Sequence, residues 1–262
     1  MKKLDLERIS FHSTILGKDM RLSIYLPESN STLGSLPVLY FLHGRSGDEN
    51  ILFDAEIKIK ADLLINEGKI NPMIIVCPLI GNSRGLNSAT ECSEVLNSEN
   101  RIYHLGMYED YLINELIPFV DNSFNTIPDR KGRYIGGASA GGYAALHNAL
   151  RHQDMFCKVG GHMPAIELTL EEEDKPHFSS IEIWKKYDPI HIAKNKDISP
   201  DIQVYLDAGD KDEGRFYEGC FVLNKILQEK GIFVQNHTFP GNHNIEYIKT
   251  NIEKYLKFYG KK

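Results

Sequence analysis

Tryptophan occurs once in these 262 residues and cysteine four times, at Cys77, Cys92, Cys157 and Cys220, with no Cys-x-x-Cys pair. Three of the four thiols sit in apolar surroundings where a thiol packs as a small hydrophobe, and all four read as reduced. No apolar run approaches the length needed to span a bilayer. The opening Met1-Lys2-Lys3-Leu4-Asp5-Leu6-Glu7-Arg8 is broken by acids before a secretory apolar stretch can form, so a cytoplasmic location and no membrane partner are expected. A basic excess is missing too. The 30 Lys+Arg against 36 Asp+Glu give a formal charge of -6, with no stripe to neutralise a phosphate backbone, which sets nucleic acid aside as a partner. Internal repeats and biased tracts are absent.

What is present is the usage of an ordinary globular protein, 42% hydrophobic and 25% charged, at a length one α/β core can serve; one domain over residues 1–262 is expected. Two alternating runs, residues 4–13 and 20–26, joined through Gly17-Lys18-Asp19, predict antiparallel edge strands. Val38-Leu39-Tyr40-Phe41-Leu42 and Met73-Ile74-Ile75-Val76-Cys77 are unbroken apolar runs of the kind buried on both faces of a parallel sheet, with helical spacing over 53–68 between them. Residues 108–124 carry the clearest helical face, in which Pro118 should kink the helix or begin a new turn. Strand and helix then alternate: 134–135, 141–150, 158–161, 202–208, 216–230, 232–238, 245–259. The pattern specifies a mostly parallel sheet with helices on both faces. Residues 79–107 and 162–200 interrupt it after strand ends, where lids and binding loops belong. The run Glu171-Glu172-Glu173-Asp174 reads as a solvated loop face, not a metal site.

The sharpest motif is Gly137-Ala138-Ser139-Ala140-Gly141, between a strand and a helix, a match to Gly-x-Ser-x-Gly. Its spacing has a steric cause: a serine on a strand-to-helix turn tight enough to strain its backbone leaves no room for side chains two residues away. The helix N-terminus behind it favours a developing negative charge. Neither phosphate-cradling glycine pattern can be laid over Gly136 to Gly142, so nucleotide binding has no support. A serine hydroxyl needs a base, and in this class the order is Ser, acid, His. Among the histidines near the end, His237 lies within a strand run and reads as structural, whereas His243 stands in the loop Pro240-Gly241-Asn242-His243-Asn244 and is the natural base. The acid comes from Tyr205-Leu206-Asp207-Ala208-Gly209-Asp210-Lys211-Asp212-Glu213. Asp207 still belongs to the strand; Asp210 and Asp212 both lie in the turn, Asp212 further into it, and the unused carboxylates are expected to cap the next helix. Leu42-His43-Gly44-Arg45-Ser46-Gly47 follows the first parallel strand, so the backbone N–H groups of Arg45 and Ala140 are the expected oxyanion donors, with His43 bracing the loop. The side chains of Arg45, Arg84 and His104 are candidates for binding a substrate carboxylate or phenolate.

These residues together resemble the esterase D family of α/β-hydrolases, which includes S-formylglutathione hydrolases, feruloyl esterases, siderophore-lactone esterases and mycolyltransferases. The resemblance rests on Tyr25-Leu26-Pro27, the stretch from Val38 to Gly44, Tyr111 to Asp121, Gly137 to Tyr143, Gly209-Asp210-Lys211-Asp212 and Pro240-Gly241-Asn242-His243. It implies an α/β-hydrolase fold with a central sheet of about eight strands, and a Ser139–His243–Asp212 triad, the family's Gly-x-x-Asp carrying the acid onto Asp212. It also implies no cofactor and a small-molecule ester substrate, of short-chain acyl or hydroxycinnamoyl type, and leaves homo-oligomerisation open. Arg45-Ser46-Gly47 departs from the His-Gly-Leu continuation of S-formylglutathione hydrolases and disfavours that activity. Acyl transfer or thioester cleavage on the same triad is the alternative, and a non-catalytic binding protein on this fold the reading from a different class.

Overall fold

The computed structural model describes residues 8–27, 34–97 and 99–261. Strand β1 (Arg8–Ser13) turns through residues 14–17 into β2 (Lys18–Tyr25). The reversal thus ends at Gly17, whose φ of 64° suits a residue without Cβ, and Lys18 and Asp19 already belong to β2. The part of the first alternating run before Arg8 lies outside the described residues. Strands β3 (Val38–Leu42) and β4 (Ile74–Pro78) are buried at every position, as their unbroken apolar runs require. The helical spacing between them resolves into α1 (Ile51–Asp54) and α2 (Ile57–Asn66), parted where Glu56 takes a left-handed conformation.

The first long excursion carries a small antiparallel pair, β5 (Ser93–Leu96) and β6 (Ile102–Leu105). The strongest helical signal is composite: α3 (Tyr108–Asp110), a wide π-helical turn over Tyr111–Leu116, then α4 (Ile117–Ser123) with Pro118 in its first turn. Proline has no N–H to return to the preceding turn, and the widened turn takes up that lost bond. There follow β7 (Arg133–Ala138), α5 (Ala140–Arg151) and β8 (Lys158–His162). The second excursion holds α6 (Ile181–Tyr187) and α7 (Pro189–Asn195), and the chain ends with β9 (Gln203–Gly209), α8 (Phe216–Glu229), β10 (Phe233–Phe239) and α9 (Ile245–Gly260).

One eight-stranded sheet runs in the order β1-β2-β4-β3-β7-β8-β9-β10. The six strands from β4 to β10 in that order are parallel, while β2 pairs antiparallel with both β1 and β4. Only β1 is therefore an edge on that side; β2, read from the sequence as another edge strand, is interior because β4 takes its second face of hydrogen bonds. The register of the parallel strands brings the ends of β3, β7, β9 and β10 to one edge, where ligands bind in open α/β sheets. Both long excursions leave from the same edge, after β4 and β8. No helix among the described residues is long and apolar enough to cross a membrane.

Candidate active site

Ser139 closes β7 and opens α5 with φ 55° and ψ −118°, a conformation disfavoured for a residue with a side chain. The flanking glycines permit it. A Cβ at Gly137 would lie 2.6 Å from the Gly141 backbone, and one at Gly141 would lie 2.3 Å from the Leu42 carbonyl oxygen. The serine N–H donates to the carbonyl of His162 at 3.0 Å, so the end of β8 holds the turn as well.

The ring of His243 stands between Ser139 and Asp212. Ser139 Oγ lies 2.8 Å from Nε2, and Nδ1 lies 2.8 Å from Asp212 Oδ2. A carboxylate only accepts, so the ring proton sits on Nδ1 and leaves Nε2 free to accept from the serine. Asp212 is buried, its other oxygen accepting the Gly214 N–H at 2.9 Å, and Phe216 packs edge-on against the imidazole at 5.0 Å. The two loops are stitched by one backbone bond and one side-chain bond: the Lys211 N–H donates to the Gly241 carbonyl at 3.0 Å and the Gly241 N–H to the side-chain Oδ1 of Asp210 at 3.0 Å. Glu213 accepts the His243 N–H at 3.3 Å. Asp210 and Glu213 thus hold the histidine loop, and the expectation that they cap α8 is corrected: that helix begins at Phe216, and Arg215 before it supplies no side-chain cap.

The loop after β3 lies against the serine, with a Cβ on Gly44 only 3.2 Å from Ser139 Cβ. His43, fully buried, receives the Ile80 N–H on Nε2 at 3.0 Å, so its proton is on Nδ1, which donates to the Gly44 carbonyl at 2.7 Å. Burial lowers its pKa and keeps it neutral in that role. The same carbonyl accepts the Gly47 N–H at 3.1 Å. Because a peptide is trans, fixing the Gly44 carbonyl on one side turns the Arg45 N–H to the other. Among the described residues no protein acceptor engages that N–H, and the Ala140 N–H belongs to the first turn of α5, which has no carbonyl behind it. Two open donors therefore flank Ser139.

A cleft of about 570 Å³ opens over Ser139 and His243, walled by Ile51, Met163, Ile245 and Ile248 and by the loop from His43 to Asp48. Of the three side chains proposed from sequence to bind substrate, Arg45 lines this cleft, but both its terminal nitrogens are bonded to Glu173, at 2.9 and 3.1 Å. Arg84 is not a substrate ligand. Its side chain is 1% exposed and held by Asp174 at 2.5 Å, Glu167 at 3.2 Å and the Ala165 carbonyl at 3.1 Å, over the face of Tyr143. His104 lines an adjoining cavity; its Nδ1 receives the Asn82 N–H at 3.0 Å, and burial lowers its pKa. The acidic run is likewise only half solvated: Glu171 and Glu172 face outward, whereas Glu173 and Asp174 turn in to these arginines.

A buried network underneath had no signal in the sequence beyond its residue types. Asp207 accepts from Tyr247 and Tyr255, each at 2.7 Å, and from His162 at 3.0 Å, and His162 Nε2 meets the Tyr259 hydroxyl at 3.1 Å. It fastens α9 under the ends of β8 and β9, the two strands that deliver the serine's backbone acceptor and the acid turn. His237 stacks on Phe239 at 5.3 Å, within β10 and away from Ser139.

The strand order, the serine turn after β7 and the acid and histidine loops after β9 and β10 define an α/β-hydrolase fold. A solved ferulic acid esterase has the same fold, with a TM-score of 0.80 at 22% identity over 97% of this chain and 96% of that one. The chain belongs to the Esterase family, described as putative esterases, whose profile it matches over residues 13–259. Esterase Rv1288 of Mycobacterium tuberculosis is 27% identical over 89% of this chain and 54% of that protein, so the chain spans about half the length of that relative. The S-formylglutathione hydrolase of Arabidopsis thaliana is 26% identical over 95% of this chain and 90% of its own.

Proposed function

We propose that this chain is a serine carboxylesterase that works through an acyl-enzyme. The observation that carries the reading is the unbroken hydrogen-bond chain Asp212–His243–Ser139, 2.8 Å at each link. Ser139 Oγ attacks the ester carbonyl while its proton passes to His243 Nε2. Asp212 holds the ring in the correct tautomer and stabilises the imidazolium. The carbonyl oxygen takes the electron pair and is met by the N–H groups of Arg45 and Ala140; one such donor is worth about 3 kcal/mol in the transition state. His243 returns the proton to the leaving alkoxide, and water, deprotonated by the same ring, releases the acid. Side chains and water complete the cycle.

The apolar wall of Ile51, Met163, Ile245 and Ile248 supports short acyl or aryl esters as substrates, and the likeness to feruloyl esterases points the same way. Thioester cleavage on the same triad is the second reading, favoured by the full-length likeness to an S-formylglutathione hydrolase. The test is a panel of p-nitrophenyl esters from acetate to octanoate, methyl ferulate and an acyl thioester, run with wild type and Ser139→Ala. Turnover falling by several orders of magnitude in Ser139→Ala is expected. A loss below about tenfold sinks the mechanism, and the preferred member of the panel decides between oxygen and sulfur esters.

A further inference from the structure

An acidic run such as residues 171–174 repels itself unless cations meet it, and here three arginines do. The Glu173 carboxylate is gripped from two directions, by both terminal nitrogens of Arg45 and by Arg101. One residue on, Asp174 pairs with Arg84 and lies 3.9 Å from Arg45. Arg84 also holds Glu167. Arg45 comes from the loop after β3, Arg84 and Arg101 from the excursion after β4, and the three acids from the excursion after β8. The two long excursions are thereby tied to each other and to the loop beside the serine.

The two halves of this network differ in kind. Arg84 and Asp174 are each 1% exposed, whereas the side chains of Arg45, Glu173 and Arg101 are 24%, 39% and 42% exposed. Removing Arg84 or Asp174 strands the charge of the other in a low-dielectric interior. The outer half is partly solvated and its individual pairs are weak.

Its position gives it a role. Beside the serine cleft is a cavity of about 650 Å³ that shares Arg45, Ser46 and Gly47 with it and is also lined by Arg101. A third, of about 350 Å³, is lined by Glu173 and by Phe216, the ring packed on His243. Arg45 and Arg101 face one space and their shared partner faces the other, so the ion pairs stand in the partition between them. A substrate arm leaving Ser139 past Arg45 and Gly47 would enter the larger cavity and reach this partition only beyond it.

Building on the esterase reading, we propose that Glu173 is a specificity-determining residue: its latch to Arg45 and Arg101 limits the bulk of the ester that the cleft admits. Withdrawing its side chain joins the two side cavities and extends the accepted range to longer acyl or larger aryl groups. Both side cavities are lined largely by polar and charged residues, so the gain is one of room and not of apolar contact, and it is read as a change in the kcat/KM ratio between a long and a short ester.

Glu173→Ala and Glu173→Gln, in the full chain, are compared with wild type for kcat/KM on p-nitrophenyl acetate and octanoate, with circular dichroism and melting temperature as the check of folding. The octanoate-to-acetate ratio is expected to rise roughly tenfold in Glu173→Ala and less in Glu173→Gln, which keeps the shape and loses the charge. Glu172→Ala, which removes an exposed carboxylate paired with Lys175, should leave the ratio unchanged. A ratio within about twofold of wild type in both folded Glu173 variants overturns the latch and leaves the esterase reading intact. No turnover by wild type on any ester, with no fluorophosphonate labelling of Ser139, overturns the esterase reading instead, and the latch with it.

Discussion

Gly209 sets the distance between the acid turn and the histidine loop, and a single methyl group there should uncouple them. A Cβ on Gly209 would stand 2.1 Å from the Gly241 carbonyl oxygen and 2.8 Å from its carbon, while ordinary contact begins at 3.4 Å. The backbones must therefore separate by about 1.3 Å, the difference between 3.4 and 2.1. Neither side yields easily. Gly241 has φ 148° and is bonded to Lys211 and Asp210, and the Tyr247 ring closes its other face. His243 lies two residues further on, and a misplacement of about 1 Å in a catalytic group can cost on the order of a hundredfold. Gly209→Ala is thus expected to lower kcat on p-nitrophenyl acetate about a hundredfold and to slow fluorophosphonate labelling, with a stability loss of about 1–3 kcal/mol for the overpacked methyl. Gly34→Ala, whose added methyl meets nothing within 4 Å, is the control. Stopped-flow or steady-state kinetics beside a melting curve make the measurement. A folded Gly209→Ala protein with kcat within about threefold of wild type would show that the close approach does not hold the triad.

The two candidate acids separate in the same assay. Asp212→Asn offers His243 Nδ1 an amide that can impose the wrong tautomer, and kcat should fall by roughly four orders of magnitude. Asp210→Asn keeps an oxygen for the Gly241 N–H and should lose less than about tenfold; equal losses would refute the assignment. Glu167 supplies a pH signature. Burial first, against the pull of Arg84 and with the push of Asp174, raises its carboxyl from 4.5 to about 7. The folded protein then holds a proton that the unfolded chain has released, so this group's contribution to stability falls as pH rises from 4.5 towards 7. Glu167→Gln should match wild type in melting temperature near pH 4.5 and exceed it by on the order of a few degrees at pH 8. A difference that does not grow with pH refutes the shift.

What was legible in the sequence divides along a physical line. The Ser139 turn announces itself because part of its steric demand is local: Gly137 lies against the Gly141 backbone, even though both also press on the Leu42 carbonyl of another strand. The placement of His243 and Asp212 follows from topology, since loops after successive parallel strands reach the same edge whatever their composition. Helix boundaries were less legible where one residue changes the hydrogen-bond phase, as Pro118 does through the π-helical turn before it. Least legible were the charges. Arg84, in a long loop at the binding edge, has every local mark of a substrate ligand, and only Glu167 and Asp174, 83 and 90 residues downstream, show that it is already satisfied. Glu173 and Asp174 carry the opposite disguise, two acids within a run that reads as solvated. The same reason underlies both errors: composition reveals which side chains can ionise, but whether a charge remains open to a ligand depends on partners that only the fold assembles. The candidate triad residues at strand ends are therefore the readable part of the proposed site, while the surrounding charges are written in pairings between loops, and Arg45, bonded to Glu173, is where such a pairing meets the serine cleft.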